Sequence, residues 1–329
     1  MSTLTPIPLS SLTDFAIGHY TDPVGATGCT AIVAPKGAVG GVDVRGGAPA
    51  TRETDLLRPE NTVEQVHAVV LSGGSAFGLE AASGAARELE KRGIGLPVGP
   101  TCVPIVCSAC LFDLALGDAD ARPDMHAGMT AVQHALDERD EADRQGNVGA
   151  GTGATVGKLL GEKNTMKGGL GVAAYEVGGV KVAAITAVNA CGDVVDPKTG
   201  QVVAGLRPTP EARATISTLE TALSQADQLT MPLNRTNTTI SCIITNARLT
   251  KSAATKLAQM SADAYSHAIS PTHTTNDGDA IFVMASGTAE TSLPLDLMGM
   301  LATKTLEEAI VSGCAHASTL YGSIARADM

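Results

Sequence analysis

The sequence predicts one α/β (α+β) domain over residues 1–329, an αββα four-layer sandwich with two β-sheets packed between layers of helices. Two observations predict this class: β-like runs come in pairs, and long amphipathic helical stretches also come in pairs. No low-complexity linker or internal repeat divides the 329 residues, and 44% of them are hydrophobic, enough for a large core. Aromatic residues make up only 2%, so this core must be built from Ala, Val, Ile and Leu.

The first part of the chain predicts short strands followed by a helix. Strands are expected at 28–34, 42–45 and 67–71, where β-branched and small apolar residues are bounded by glycines. From 76 to about 92, leucines and alanines recur at helical spacing. The apolar stretch 97–111 contains prolines and is consistent with a buried strand.

The second part contains the clearest hairpin. The apolar runs 170–177 and 180–188 flank Gly178-Gly179, a pair typical of a two-residue hairpin turn. Thr250 is a predicted helix N-cap. The remaining predicted elements are helices at 125–144, 211–223, 250–268 and 304–320, and strands that start at 238 and cover 280–284.

Charge and cysteine usage exclude several classes of protein. The net charge is −11 and no Lys/Arg-rich run is present, which argues against nucleic-acid and membrane partners. The N-terminus lacks a signal peptide pattern, and no stretch reaches the roughly 18 apolar residues of a membrane-spanning helix. Cys102, Cys107 and Cys110 have no matching second pair or His cluster. We therefore expect a cytoplasmic protein with reduced cysteines, no metal and no cofactor.

Asn237-Thr238 marks the junction between a polar stretch and a β-branched strand. A threonine at a strand start can attack the peptide bond before it, and cleavage would make Thr238 a new N-terminus. Such a residue carries both a nucleophilic hydroxyl and a general base, its α-amine, which titrates near about 7.7–8.0. The alternative is an ordinary Thr-rich strand edge, because β-branched residues suit pleated surfaces.

Four further features have both a chemical and an ordinary interpretation. Gly149–Ala154 loosely fits a dinucleotide-binding pattern, but no apolar strand precedes it, which favours a tight turn. Lys158 is a cation beside this turn, or a surface lysine. Asn189 could donate to an oxyanion, or it could be a turn residue. Asp277 and Asp279 share a face of an extended chain and could orient a hydroxyl and an ammonium, or form an acidic turn.

Several long segments together resemble the DmpA/BapA-type family of self-processing aminopeptidases. This family includes L-aminopeptidase/D-esterases, β-aminopeptidases, pantetheine hydrolases and nylon-oligomer hydrolases. The resemblance covers residues 14–322 and is specific for the family rather than for a substrate. The segments that carry it, in order, are 40–49, 71–79, 149–158, 237–240 and 273–279.

The resemblance implies an Ntn-hydrolase-like αββα sandwich with its own connectivity. It also implies a precursor that cleaves itself after Asn237 into an α chain, 1–237, and a β chain, 238–329. We further expect a homotetramer of αβ units. By the same resemblance the catalytic residues are a nucleophile, an oxyanion donor, a neighbouring cation and two orienting carboxylates: Thr238, Asn189, Lys158, Asp277 and Asp279.

The expected activity is hydrolysis of amide or ester bonds, in particular aminopeptidase action on small peptides or amino-acid amides. Some relatives carry a tyrosine in the segment corresponding to 109–114, where this chain has Phe112, so that hydroxyl is absent here. Two alternatives remain open. One is an acyltransferase of the ornithine-acetyltransferase type, and the other is a non-catalytic protein that binds a metabolite or nucleotide at the 149–154 glycines.

Overall fold

The structure, a computed structural model, describes residues 4–138, 141–227 and 237–329. Its α-helices are α1 (Glu80–Lys91), α2 (Met125–Asp137), α3 (Thr218–Ser224), α4 (Lys251–Ser261), α5 (Asp263–Ala268) and α6 (Leu295–Ala315). Its strands are β1 (Thr5–Pro6), β2 (Ala16–Asp22), β3 (Thr27–Val44), β4 (Thr51–Arg52), β5 (Val66–Ser72), β6 (Leu96–Val98), β7 (Thr101–Val103), β8 (Val106–Cys110), β9 (Thr155–Val156), β10 (Met166–Lys167), β11 (Gly169–Val177), β12 (Val180–Asn189), β13 (Asp193–Val195), β14 (Val202–Ala204), β15 (Thr238–Thr245), β16 (Ile269–Ser270) and β17 (Ala280–Ala285).

Strand β3 belongs to both large sheets. Its first part pairs with β2 and β5, and its second part pairs with β17. One sheet has the order β1-β11-β12-β15-β17-β3, and the other has the order β2-β3-β5-β8-β4. The register shifts between Val33 and Ala38, around Gly37 with φ of 77°. This irregularity lets one strand pass from sheet to sheet, so the prediction of separate strands at 28–34 and 42–45 is wrong.

The core confirms the four-layer arrangement. Side chains from both sheets meet in one buried cluster, including Ile32 and Leu71 from one sheet and Ile185 and Phe282 from the other. Helices α1 and α2 cover the outer face of the β5-containing sheet. Helices α4, α5 and α6 cover the outer face of the β15-containing sheet. The resulting order of layers is helices, sheet, sheet, helices.

Both large sheets contain parallel as well as antiparallel strand pairs. Strands β15 and β17 pair in parallel, and so do β5 and β8. Along the chain, α4 and α5 lie between β15 and β17, and α1 lies between β5 and β8. A crossover through a helix returns the chain in the same direction, which makes the paired strands parallel.

Two local predictions are confirmed. Gly178 and Gly179, with φ of 58° and 85°, connect β11 and β12 in a two-residue turn. The Thr250 hydroxyl caps α4 by accepting the N–H of Ala253 at 3.2 Å. No helix within the described ranges is long and apolar enough to cross a membrane.

Other boundaries differ from prediction. The 97–111 stretch forms the three short strands β6, β7 and β8, and α2 ends at Asp137 instead of 144. Helix α3 is shorter than the predicted 211–223. Helix α6 starts at Leu295, nine residues before the predicted 304, because Met298 and Leu301 continue its buried face towards the N-terminus.

Candidate active site

The sheet topology brings three chain segments to one edge. Strand β12 runs antiparallel to β15, so its last residue, Asn189, pairs with the first residue of β15, Thr238. Strand β17 runs parallel to β15, so the turn before β17 lies beside the same strand start, with Asn237 bridged to Asp277. Thr238 is 5% exposed and Asn189 is fully buried. Candidate residues separated by tens of positions in the sequence therefore share one buried site.

The carbonyl of Asn237 is held from two sides. The Thr238 hydroxyl donates a hydrogen bond to it, and so does the backbone N–H of Gly278, at 3.1 Å. A Cβ added at Gly278 would lie 2.8 Å from the Thr238 Oγ1. Only glycine therefore allows the 277–279 turn to approach the hydroxyl this closely.

Asn189 is a buried strand residue with a fixed side-chain amide, not a turn residue. Its Oδ1 accepts from Lys158 Nζ at 2.7 Å and from the Thr155 N–H at 3.0 Å. Its Nδ2 donates to the carbonyl of Phe112 at 2.9 Å. Because donors surround one end of the amide and an acceptor faces the other, these contacts determine which way the amide points.

Lys158 lies inside the protein rather than on its surface. It is 8% exposed, and burial lowers its pKa to about 8, with Glu162, Cys191, Asp113 and Asp277 opposing the shift. The ammonium and the neutral amine are thus both accessible near neutral pH. A lysine in this state can stabilise a developing negative charge or exchange a proton.

The two aspartates of the 277–279 turn have different environments. Asp277 accepts the N–H of Thr274 at 2.5 Å, and burial, followed by repulsion from Asp279, raises its pKa to about 6. Asp279 accepts the N–H of Thr239 at 2.7 Å through Oδ1. Its Oδ2 accepts from the backbone and ring of His273 at 3.2 and 2.9 Å. Asp279 is thereby connected to the second residue of β15.

Sequence reasoning missed His273, which contacts Asp279 and stacks on Tyr265 with ring centroids 5.3 Å apart. The Tyr265 hydroxyl donates to the Thr239 carbonyl at 3.0 Å, on the strand that begins with Thr238. His273 is the first residue of the 273–279 segment that carries the resemblance, and this position was the available signal. The role of Gly278 between the two aspartates was missed as well.

The Gly149–Ala154 segment forms a buried turn, as the sequence favoured. A Cβ at Gly151 would clash with the backbone of Leu170, and one at Gly153 would clash with the carbonyl of Ala26. The glycines therefore serve close packing of the chain against itself. Thr155 and Lys158, which follow this turn in the chain, both donate hydrogen bonds to Asn189.

Comparison with solved structures places the architecture among the Ntn hydrolases. The L-aminopeptidase D-Ala-esterase/amidase from Ochrobactrum anthropi, a variant of the Ntn-hydrolase fold, is similar with a TM-score of 0.66, 17% identity, and coverage of 94% of this chain and 86% of that one. A β-aminopeptidase from a Burkholderia species is similar with a TM-score of 0.65, 16% identity, and coverage of 97% and 91%. The fold is therefore a variant of the Ntn-hydrolase fold.

Comparison of the sequence with known proteins identifies the family. The model of peptidase family S58 matches residues 11–327, and the chain belongs to this family. An uncharacterized aminopeptidase of Mycobacterium leprae is 39% identical over 326 residues, covering 92% of this chain and 85% of the relative. A 6-aminohexanoate-oligomer endohydrolase of Paenarthrobacter ureafaciens is 30% identical over 276 residues, covering 84% and 73%. The protein is a hydrolase, and the predicted resemblance is confirmed.

Proposed function

We propose that this protein cleaves its own Asn237–Thr238 bond and then acts as an N-terminal-threonine aminopeptidase on small peptides or amino-acid amides and esters. The observation that carries the proposal is the pair of contacts on the Asn237 carbonyl, from the Thr238 hydroxyl and the Gly278 N–H. These contacts support the proposal because they put a hydroxyl and an N–H donor on the carbonyl of the bond to be broken.

Self-cleavage would proceed as an N-to-O acyl shift. The Thr238 Oγ attacks the Asn237 carbonyl carbon, and the Gly278 N–H stabilises the resulting oxyanion. The C–N bond then breaks, and the nitrogen of Thr238 receives the proton lost by the hydroxyl. Water hydrolyses the ester and leaves a carboxylate on Asn237 and a free amine on Thr238.

In turnover the same hydroxyl attacks the substrate carbonyl while the new α-amine accepts its proton. We assign an N–H of the Asn189 amide, which the contacts with Lys158 and Phe112 orient, to the tetrahedral oxyanion. Asp277 and Asp279 orient the hydroxyl and the ammonium of Thr238. Water releases the acyl group and regenerates the threonine.

The relatives support an aminopeptidase substrate. An uncharacterized aminopeptidase is 39% identical to this chain, whereas a 6-aminohexanoate-oligomer endohydrolase is 30% identical, so we favour amino-acid amides and small peptides over such oligomers. Membership of a peptidase family favours water over an amine as the acyl acceptor, and therefore hydrolysis over acetyl transfer. The buried glycines of 149–154 disfavour a metabolite-binding role at that segment.

Intact-mass spectrometry of the purified protein tests the proposal. Two chains that correspond to residues 1–237 and 238–329 are expected, together with hydrolysis of p-nitroanilides of L-amino acids. Parallel assays with D- and β-amino acid anilides and with 6-aminohexanoate oligomers define the substrate class. A single full-length chain that is nevertheless an active amidase would contradict the proposed nucleophile.

Replacing Asn189 with alanine is expected to lower kcat by about 10²–10³-fold, the typical cost of losing one oxyanion donor. The variant is expected to lose some stability, because Lys158, Thr155 and Phe112 each lose a hydrogen-bond partner, but to keep the fold, because the smaller side chain fits the same space. Steady-state kinetics on processed protein, with circular dichroism as the fold check, measure this effect. A decrease in kcat of less than about threefold would show that Asn189 has only a structural role.

The pH dependence of self-cleavage is expected to be bell-shaped. Burial and Asp279 raise the pKa of Asp277 to about 6, so its carboxylate predominates only above that pH. Burial lowers the pKa of Lys158 to about 8, so its ammonium predominates only below that pH. Cleavage should therefore rise through about 6 and fall through about 8, as measured on freshly translated precursor by gel.

Asp277→Asn is expected to remove the acidic limb of this profile, and Asp279→Asn to impair both cleavage and turnover. Because the two carboxylates belong to one turn beside Thr238, their effects are not independent, and the double variant should lose less than the product of the two single losses. Independent multiplicative losses with an unchanged pH profile would show that the two residues form only an acidic turn.

A further inference from the structure

Lys167 is fully buried and lies outside the residues assigned to the reaction. Its Nζ donates to the carbonyls of Gly151, Ala154 and Gly168, at 3.1, 2.8 and 2.9 Å. An ammonium has three hydrogens, and each has an acceptor here. An apolar residue at this position would take a donor from three buried carbonyls, so the ammonium ties together the backbone around it.

Two of these carbonyls, those of Gly151 and Ala154, belong to the segment that orients Asn189. Ala154 is followed by Thr155, whose N–H donates to the Asn189 Oδ1 at 3.0 Å, and the same oxygen accepts from Lys158 at 2.7 Å. Lys167 also pairs with Thr155 across the short β9–β10 ladder. Thr155 therefore connects the turn that the Lys167 ammonium binds to the amide of Asn189.

We propose that Lys167 is a positioning residue for Asn189. Its ammonium holds the Gly151–Ala154 turn, and this turn sets the place of the Thr155 N–H and of Lys158 against the amide oxygen. Without the ammonium, the turn loses two hydrogen bonds, those of the Gly151 and Ala154 carbonyls, and the Asn189 amide loses its fixed orientation towards the oxyanion. This inference rests on the oxyanion role given to Asn189 in the proposed function.

The charge on Lys167 is sensitive to its surroundings. Burial lowers its pKa to about 7, Cys314 and Asp113 oppose the shift, and Lys158 adds to it. The Asp113 carboxylate is itself buried and accepts from the Thr27 hydroxyl and the Gly74 N–H, both at 2.7 Å. Since the neutral amine has only two hydrogens, Lys167 can donate to all three carbonyls at once only when it is protonated.

The test compares Lys167→Met with a matched control, Lys251→Met. Lys251 is also buried and donates to backbone carbonyls, those of Leu56 and Asn61 at 3.1 and 2.7 Å, and neither of these contacts touches the site. Lys167→Met is expected to lower kcat by about tenfold to 10²-fold with KM within about threefold, as for a misplaced catalytic group. Lys251→Met is expected to change thermal stability but leave kcat within about twofold of wild type.

A double-variant cycle with Asn189→Ala asks whether Lys167 acts through that amide. If it does, Lys167→Met should have almost no further effect on kcat once Asn189 is alanine. Where Lys167→Met prevents processing, the same cycle is measured on the cleavage rate of the precursor. Additive losses, or equal kcat for Lys167→Met and Lys251→Met, would overturn the inference.

Lys167→Gln keeps the test decisive if the methionine variant does not fold, because the glutamine amide retains N–H donors without a charge. The cycle is then run with this variant, and the same two outcomes decide. If wild type is processed and Asn189→Ala is defective but the losses are additive, only the role of Lys167 fails. If Asn189→Ala has the activity of wild type, the proposed oxyanion donor itself fails.

Discussion

Thr238→Ala is expected to give one uncleaved chain of 329 residues without hydrolase activity. Alanine has no hydroxyl to attack the Asn237 carbonyl, and without cleavage no free α-amine is formed. Removal of a nucleophile typically lowers turnover by about 10⁴-fold or more. Intact-mass spectrometry and an anilide assay on the same preparation measure both effects.

Thr245→Ala is the matched control, because this buried threonine lies at the other end of β15 and donates to the Lys181 carbonyl. It is expected to lose stability but to be cleaved after Asn237 like wild type. Thr238→Ser, which keeps a hydroxyl, should retain part of the processing. Wild-type cleavage of the Thr238→Ala protein would remove this mechanism entirely.

Gly278→Ala is expected to slow self-cleavage by on the order of 10²-fold, the cost of displacing a reacting group by about 1 Å. The added methyl would lie 2.8 Å from the Thr238 Oγ1 and 3.0 Å from the Ala48 carbonyl. Either the hydroxyl or the turn must move, and the Gly278 N–H then no longer faces the Asn237 carbonyl as it does at 3.1 Å. The cleaved fraction of newly synthesised chain, followed by gel over time, measures the effect.

Gly200→Ala serves as the control for glycine replacement in general. Gly200 has φ of 69° and nothing within 4 Å of an added methyl, so alanine there costs backbone strain without a steric clash. Its cleavage rate should equal that of wild type. Equal rates for the Gly278 variant as well would mean that the site accommodates the methyl and that the approach of the turn is not required.

Periodicity in the sequence predicted much of the secondary structure. The hairpin around Gly178-Gly179 and the Thr250 cap depend on residues close in sequence, and both are confirmed. The predicted boundaries were wrong where contacts between residues distant in sequence determine the length of an element. β3 continues through both sheets because each half finds partners from other parts of the chain, and α6 extends towards its N-terminus because that turn is also buried.

The candidate site could be recognised but not built from the sequence. The order of motifs identified the family and singled out Asn189 and the 277–279 turn as candidates. It gave no sign that Lys158 is buried, that His273 binds Asp279, or that Gly278 contacts the Asn237 carbonyl. These contacts depend on strand register, which is a property of the assembled sheet.

By itself, the sequence predicted the αββα class, the family and a set of candidate site residues, because the motifs that carry the resemblance are stretches of sequence that can be recognised without the fold. Only the tertiary structure decided how those groups behave. The Asn189 amide is oriented by contacts with Thr155 and Phe112, 34 and 77 positions away in the chain. The pKa of Lys158 is lowered to about 8 by burial, which arises when the surrounding segments exclude water from the site.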